Sequence, residues 1–129
     1  MTTELTILAL AAVLQALHFL AYSVAANLQI GTKKALGPRD QKIELTGKTG
    51  RLQRALNNHF EALILLTIAV VVITLADKGT GFSAACAWVY LIARILYVPA
   101  YYFGLSPWRT VVWFAGFLST VLMILSALI

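Results

Sequence analysis

Residues 55–76 read ALNNHFEALILLTIAVVVITLA, and Glu61 is the only charged side chain among them. A hydrocarbon core about 30 Å thick is crossed by about 20 mostly apolar residues in a helix. The stretch therefore predicts a membrane-spanning α-helix, and the fold depends on how many similar stretches the chain contains.

Three further stretches have the same character. They are residues 5–30, which carry no charge, residues 82–103, which carry only Arg94, and residues 109–129, which carry no charge after Arg109. Backbone polar groups in lipid must be satisfied within each helix or in a closed barrel, and no alternating pattern of apolar residues supports a barrel. We therefore predict an all-α fold, an integral membrane four-helix bundle that forms a single domain over residues 1–129.

The composition of the 129-residue chain excludes a soluble monomer. It is 60% apolar and 12% charged, whereas soluble domains carry roughly 25% charged residues. A soluble domain of this size buries only about 70% of its unfolded surface, which is too little to hide so much apolar area. The single cysteine, Cys86, excludes an internal disulfide framework. No group of Cys, His and carboxylate residues has the spacing of metal ligands, so we expect no metal.

The net charge of +5 is concentrated in one connection of the chain. Seven of the ten Lys and Arg residues lie between residues 31 and 54. Because positively charged loops stay in the cytoplasm, we expect the loop 31–50 to be cytoplasmic and both termini to lie on the other side. The first span follows a start without basic residues and is longer than a signal core, so we expect it to be retained. No separate basic domain suggests a nucleic-acid partner, and the short chain favours a bacterial inner membrane.

Two sets of polar residues fall inside or at the mouth of the predicted spans. Charges there are costly, about 2.5 to 3.5 kcal/mol each on insertion scales, and they usually mark function. Each set has helical spacing and therefore shares one helix face. The sets are Arg51, Arg54, Asn58 and Glu61 in the second span, and Arg94, Tyr97 and Tyr101 in the third.

Depth in the membrane relates the two sets. Glu61 lies ten residues after Arg51, and Arg94 lies ten residues before Gly104, which is about 15 Å from the same surface in each case. We therefore expect an ion pair between Glu61 and Arg94. The first span has its own polar stripe, which we expect to face the bundle and hydrogen-bond across helices; it consists of Gln15, His18, Tyr22 and Gln29.

Simpler interpretations of these residues remain open. Arg51 is also suited to anchoring a helix end at the membrane surface. Tyr97 and Tyr101 are also suited to the aromatic belt, and Tyr90 and Trp113 fit belt or packing positions better than a binding site.

The predicted cleft favours a small zwitterionic ligand. Arginine binds carboxylates in bidentate fashion, while a carboxylate holds an ammonium group and an amide pairs with a peptide bond. Glutathione, a thiol tripeptide with two carboxylates, is an example of such a ligand. A lipid phosphate would suit the arginines but leaves Glu61 without a role.

The two motifs, Arg51-x-x-Arg54-Ala55-x-x-Asn58-x-x-Glu61 and Arg94-x-x-Tyr97-x-x-x-Tyr101, resemble one family. It is the family of membrane-associated proteins in eicosanoid and glutathione metabolism (MAPEG), which includes leukotriene synthase, microsomal prostaglandin E synthase and the microsomal glutathione transferases. The chain length and the four-span layout agree with it throughout. The resemblance implies a homotrimer that holds glutathione between neighbouring subunits near the cytoplasmic face.

The resemblance also implies roles for individual residues. The expected glutathione contacts are Arg51, Arg54, Asn58, Glu61, Tyr97 and Tyr101, with Arg94 supporting Glu61 or touching the ligand. Arg109 resembles the arginine credited with activating the thiol in several members, and Tyr101 is a second catalytic candidate as a hydroxyl donor. The chain departs from other members at three places, namely Leu56, residues 30–32 and Trp113.

We therefore expect a membrane-bound glutathione transferase of the detoxification type, with peroxidase activity at the same site, that acts on lipophilic small molecules. Two other functions stay open. One is a small four-helix transporter that uses Glu61, and the other is a non-catalytic membrane protein that binds glutathione or lipid.

Overall fold

Four long α-helices account for most of the chain that the structure describes. The computed structural model describes residues 1–31 and 46–129. The helices are α1 (Thr3–Ile30), α2 (Gly47–Leu75), α3 (Gly81–Tyr102) and α4 (Trp108–Leu128). Each is long and apolar enough to cross a membrane. The predicted all-α, four-helix membrane fold is therefore confirmed.

Most of the predicted loop 31–50 lies outside the described residues, and so do four of its basic residues, Lys33, Lys34, Arg39 and Lys42. After this segment α2 begins at Gly47, eight residues before the predicted span. The apolar run alone defines the predicted span, whereas the helix also includes the more polar residues 47–54 that precede this run.

Local sequence explains where helices begin and end. The Thr2 hydroxyl accepts a hydrogen bond of 3.2 Å from the Leu5 amide at the start of α1, a position that favours Thr. Gly31 ends α1 with a φ of 87°, which glycine adopts without steric penalty. Thr80 and Ser83 form a capping box at the start of α3, so each satisfies a backbone N–H of the other.

The two middle helices, α2 and α3, each touch all the other helices. The contact between α3 and α4 is the most extensive, and α1 and α4 do not touch within the described residues. At the α3–α4 contact a Cβ added to Gly116 would lie 3.5 Å from the Cβ of Ala93. Small residues therefore let these two helices approach closely. The apolar core includes the fully buried side chains of Ile7, Leu66, Val70 and Met123.

The polar stripe of α1 faces α2, as its spacing predicts. His18 Nε2 donates to the carbonyl of Leu52 at 3.2 Å. Near the helix end, Gln29 bonds the carbonyl and the amide of Thr46 at 3.1 and 3.0 Å. The other pairs are Gln15 with His59 at 2.6 Å and Tyr22 with Gln53 at 3.5 Å. The expectation that this stripe bonds across helices is confirmed.

Candidate functional site

Two tyrosines near the end of α3 form the centre of the polar group. Tyr97 and Tyr101 lie one turn apart, and their ring centroids are 5.5 Å from each other. The Arg94 guanidinium carbon lies 4.2 Å from the centroid of the Tyr97 ring, and that of Arg109 lies 4.9 Å from the Tyr101 ring. Arginine on an aromatic face is attracted by the ring quadrupole. The two cations therefore bracket the tyrosine pair.

Arg54 joins this group from α2. Its Nε donates a hydrogen bond of 3.2 Å to the hydroxyl of Tyr101, although Arg54 is an exposed residue. Because that hydroxyl accepts from Arg54, its own proton stays available to donate to a ligand. Tyr101 thus contacts the side chains of Arg54 from α2 and Arg109 from α4.

Arg94 pairs with an amide and not with the predicted carboxylate. Its Nη1 donates to Asn58 Oδ1 at 3.0 Å, and no ion pair joins Arg94 to Glu61 in the part of the chain that the structure describes. The predicted Glu61–Arg94 ion pair is therefore wrong. Asn58 and Glu61 lie on the same side of α2, but Glu61 is about 4.5 Å farther along the helix and about 60° around it. The hydrogen bond between Arg94 and Asn58 therefore does not by itself bring Arg94 to Glu61.

Arg51 and Glu61 lie at the two ends of the α2 polar face. A Cβ added to Gly104, whose φ is 65°, would lie 3.0 Å from Arg51 Nη1, so the Arg51 guanidinium covers the turn between α3 and α4. Glu61 is exposed on the surface of the single chain and lines a pocket. The structure therefore brings Arg54, Asn58, Arg94, Tyr97, Tyr101 and Arg109 together and places Arg51 on the adjacent turn.

Two adjoining pockets open beside these residues. The outer pocket, of about 260 Å³, is lined by Asn58, Tyr97, Tyr101, Arg109, Thr110 and Trp113. The inner pocket, of about 200 Å³, shares Asn58 and Trp113 with it and adds Glu61, Tyr90, Arg94 and apolar residues of α2 and α4. Neither reaches the roughly 300 Å³ that is the lower bound for typical small-molecule sites. A ligand as large as a tripeptide would therefore need both.

Trp113, like Tyr90 in the inner pocket, is a lining residue that sequence reasoning assigned elsewhere. It was predicted as a belt or packing residue, yet it lines both pockets. Its ring stacks on that of Phe117 at 5.3 Å with an angle of 6° between the planes. The signal in the sequence is the spacing of Arg109, Trp113 and Phe117, which recur every fourth residue and so share one face of α4.

The donors and acceptors around the pockets match a ligand that carries charges of both signs. Arg54 and Arg109 supply guanidinium groups for carboxylates. The Glu61 carboxylate, which has no ion-pair partner among the described residues, suits an ammonium group. Asn58 accepts from Arg94 through its oxygen, which leaves its NH₂ group to donate. Glutathione fits this set.

Comparison with known proteins agrees with this geometry. The model of the MAPEG family matches residues 5–129, which is nearly the whole chain. No curated protein matches the sequence. Members of the family are mostly glutathione-dependent enzymes, among them transferases, peroxidases and synthases. With its four membrane-length helices, the chain belongs to the MAPEG family and is an integral, multi-pass membrane protein.

Proposed function

We propose that the protein is a glutathione transferase that acts on lipophilic electrophiles and also reduces hydroperoxides at the same site. The observation that carries this proposal is the convergence of Arg54 and Arg109 on Tyr101, which lines the outer pocket, in a chain of the MAPEG family.

The chain's own residues divide into those that hold the ligand and those that act on the thiol. Arg54 and Arg51 bind carboxylates, Glu61 binds the ammonium group, and Asn58 donates to a peptide carbonyl. Tyr97 and Arg94 form the floor of the site, because both are buried and Arg94 is held by Asn58. These contacts fix the ligand before any chemistry takes place.

Glutathione, as a substrate, supplies a thiol whose thiolate bonds to an electrophilic carbon and displaces its leaving group. With a hydroperoxide, the thiolate attacks a peroxide oxygen and breaks the O–O bond, which releases the alcohol, and a second glutathione converts the resulting sulfenic acid to the disulfide and water. A thiol with a pKa of about 8.5 is mostly protonated at neutral pH. Lowering that pKa by two units requires about 2.7 kcal/mol of preferential stabilisation of the anion. Arg109 supplies positive charge for this purpose, because its guanidinium lies over Tyr101 and at the pocket. Tyr101 adds a hydroxyl donor.

The apolar wall of the inner pocket suits a lipophilic second substrate. Ala62, Leu65 and Phe117 line it, and α2 and α4 both carry large exposed apolar side chains. An electrophile dissolved in the bilayer would enter from this side, whereas glutathione would enter from water. The two substrates would therefore meet near Asn58 and Trp113, which both pockets share.

We further propose that three copies form a homotrimer in a bacterial inner membrane, with the pocket mouth toward the cytoplasm. Glu61 supports an assembly, because it is exposed on the single chain at a depth where an unpaired charge facing lipid is costly. A neighbouring copy and a bound ligand would together cover it. The positively charged residues near the start of α2 support the orientation.

The proposal is tested by calorimetric titration of glutathione into the detergent-purified protein. We expect the wild type to bind and Arg54→Ala to bind about 10-fold to 100-fold more weakly, because a hydrogen bond to a charged group contributes about 1.5 to 3 kcal/mol. Glu61→Gln should weaken binding through the ammonium group. Lys78→Ala is the matched control, since it removes an exposed cation from the turn between α2 and α3 and should bind as the wild type does.

Two results would contradict the proposal. Absence of glutathione binding by the wild type excludes the transferase, and equal affinity of Arg54→Ala and wild type removes Arg54 from the site. Binding without turnover on a panel of electrophiles and hydroperoxides would favour the non-catalytic glutathione-binding protein instead.

A transporter remains the second candidate, because Glu61 forms no ion pair within the described residues. A membrane carboxylate without a fixed cation is suited to binding protons or cationic substrates. Proton-driven uptake into proteoliposomes that disappears in Glu61→Gln, combined with no effect of Arg54→Ala, would support transport over transfer.

A further inference from the structure

The hydrogen bond between Gln15 of α1 and His59 of α2 lies deep inside the bundle. His59 Nδ1 donates to Gln15 Oε1 at 2.6 Å, and Gln15 is 8% exposed and His59 1%. His59 also lies beside Tyr90 of α3, with 6.4 Å between the two ring centroids. A hydrogen bond is electrostatically stronger in a low-dielectric interior than in water. The pair therefore joins α1 to α2 at one defined height.

His18 makes a second attachment between the same two helices. Its Nε2 donates to the carbonyl of Leu52 at 3.2 Å, and Leu52 precedes His59 by seven residues, or about 10.5 Å along α2. Two contacts that are separated along the axis fix both the rotation and the height of a helix, whereas one contact leaves it free to turn. Because helices in lipid are not driven together by the hydrophobic effect, close packing and such polar bonds decide how they meet.

His59 directly follows Asn58, the residue that bonds Arg94. Consecutive residues are about 100° apart around a helix, so α2 reaches α1 through His59 and α3 through Asn58. Asn58 Oδ1 accepts from Arg94 Nη1 at 3.0 Å. The height at which α1 holds His59 therefore also sets the height at which Asn58 meets Arg94.

Glu61 is the partner that charge alone would favour for Arg94. Charged side chains within membrane spans usually pair with one another, and unit charges of opposite sign attract strongly where the dielectric constant is low. Within the described residues, however, Arg94 bonds Asn58 and forms no ion pair with Glu61. A movement of α2 by about one turn would exchange the two partners. A contact that holds α2 against this attraction is therefore required.

We propose that Gln15 and His59 are positioning residues, whose hydrogen bond holds α2 at the height where Arg94 meets Asn58 and not Glu61. Neither of them lines the outer or the inner pocket, so they act through the residues of α2 and not on a ligand. The inference rests on the proposed function in one respect, since Glu61, which the pair keeps away from Arg94, is the residue that we propose binds the ammonium group of glutathione.

The test asks whether Glu61 replaces Asn58 as the partner of Arg94 once the pair is removed. Gln15→Met/His59→Leu removes both members of the bond, a kind of replacement that is often nearly neutral for stability, so we expect this double variant to fold. Glu61→Gln is then introduced into the wild type and into the double variant, and the melting temperatures of all four proteins are measured in detergent without glutathione. The comparison is repeated in Gln15→Met, which removes only the acceptor.

We expect Glu61→Gln to lower the melting temperature of the double variant by about 3 °C more than that of the wild type, because only the double variant has an ion pair to lose. His59→Asn is the matched conservative variant, since its amide can donate from nearly the position of His59 Nδ1. In His59→Asn, Glu61→Gln should have the same effect as in the wild type.

Equal effects of Glu61→Gln in the wild type and in both altered backgrounds would overturn the inference. A pair that only stabilised the fold in general would lower all melting temperatures alike and would not change the effect of Glu61→Gln. Because none of these measurements uses glutathione, failure of the proposed function in calorimetry and failure of this inference are distinct outcomes.

Discussion

Tyr101 contacts both the arginine that we propose binds glutathione and the arginine that we propose activates its thiol. Its hydroxyl accepts from Arg54, and its ring lies against Arg109. The two arginines therefore approach one side chain from different helices and in different ways. Arg54 is placed to hold a carboxylate at the pocket mouth, whereas Arg109 is placed to act on a group inside the outer pocket.

We expect Arg109→Ala to lower kcat about 25-fold at pH 7 with little change in glutathione affinity. When the thiol pKa returns from about 6.5 to about 8.5, the thiolate fraction at this pH falls from about 75% to about 3%. Arg54→Ala should mainly weaken affinity. The measurement is steady-state kinetics with an activated aryl halide, combined with calorimetry on the same preparations. Arg109→Lys, which keeps the charge, is the conservative comparison and should retain part of the turnover.

The opposite pattern would remove Arg109 from the chemistry. If Arg109→Ala lost affinity while Arg54→Ala lost only turnover, Arg109 would be a binding residue, and Tyr101 would become the first candidate for stabilising the thiolate.

At the scale of elements, the contact between α3 and α4 sets the geometry of the pockets. Gly116 lies against Ala93, and a Cβ on Gly116 would also lie 3.8 Å from Arg94 Cδ. The closeness of the two helices therefore helps to position Arg94, which in turn holds Asn58. Gly116 also lines the inner pocket, so a side chain at this position that separates α3 from α4 would disturb that pocket.

We expect Gly116→Leu to lower the free energy of unfolding by about 1 to 3 kcal/mol, as inserting a large side chain into a packed contact typically does. Thermal unfolding in detergent measures the effect. Gly116→Ala is the matched control, because its Cβ would make only ordinary van der Waals contact and Ala favours a helix by about 1 kcal/mol over Gly. Equal melting temperatures for the Leu variant and wild type would show that α3 and α4 are not closely packed here.

At the scale of the whole molecule, the polar groups divide between the two ends of the bundle. The candidate site lies at the end that carries the start of α2 and the end of α3. At the other end, a buried hydrogen bond joins α3 to α1, because the Ser83 hydroxyl donates to Glu4 Oε1 at 2.6 Å. Lys48 and Lys78 are both exposed and lie toward opposite ends of α2, so they report on opposite faces of the membrane.

We expect a membrane-impermeant thiol reagent to label Lys48→Cys only from the cytoplasmic side and Lys78→Cys only from the outside. The reason is the concentration of positive charge in the connection before α2. The background is Cys86→Ala, which removes the buried native thiol. Labelling is compared in intact cells and inverted vesicles, and the reversed pattern would contradict the cytoplasmic placement of the pocket mouth.

The sequence by itself determined the number of helices and the faces they present. Runs of about 20 apolar residues gave four spans, since a bilayer admits few other structures. Helical spacing also identified the α1 stripe that bonds α2, because residues that share a face must meet the same neighbour. Helical spacing also predicted which candidate site residues share a face. Arg54 and Asn58 share a face of α2, and Tyr97 and Tyr101 share a face of α3.

Only the tertiary structure decided which residues meet across helices. In the structure Arg94 bonds to Asn58 and not to Glu61. Arg51 lies over Gly104, and Trp113 lines both pockets. Periodicity fixes the face of a helix but not its rotation or its height against a neighbour. Those are set by how apolar side chains and small residues such as Gly116 pack, and packing is a property of all the helices together.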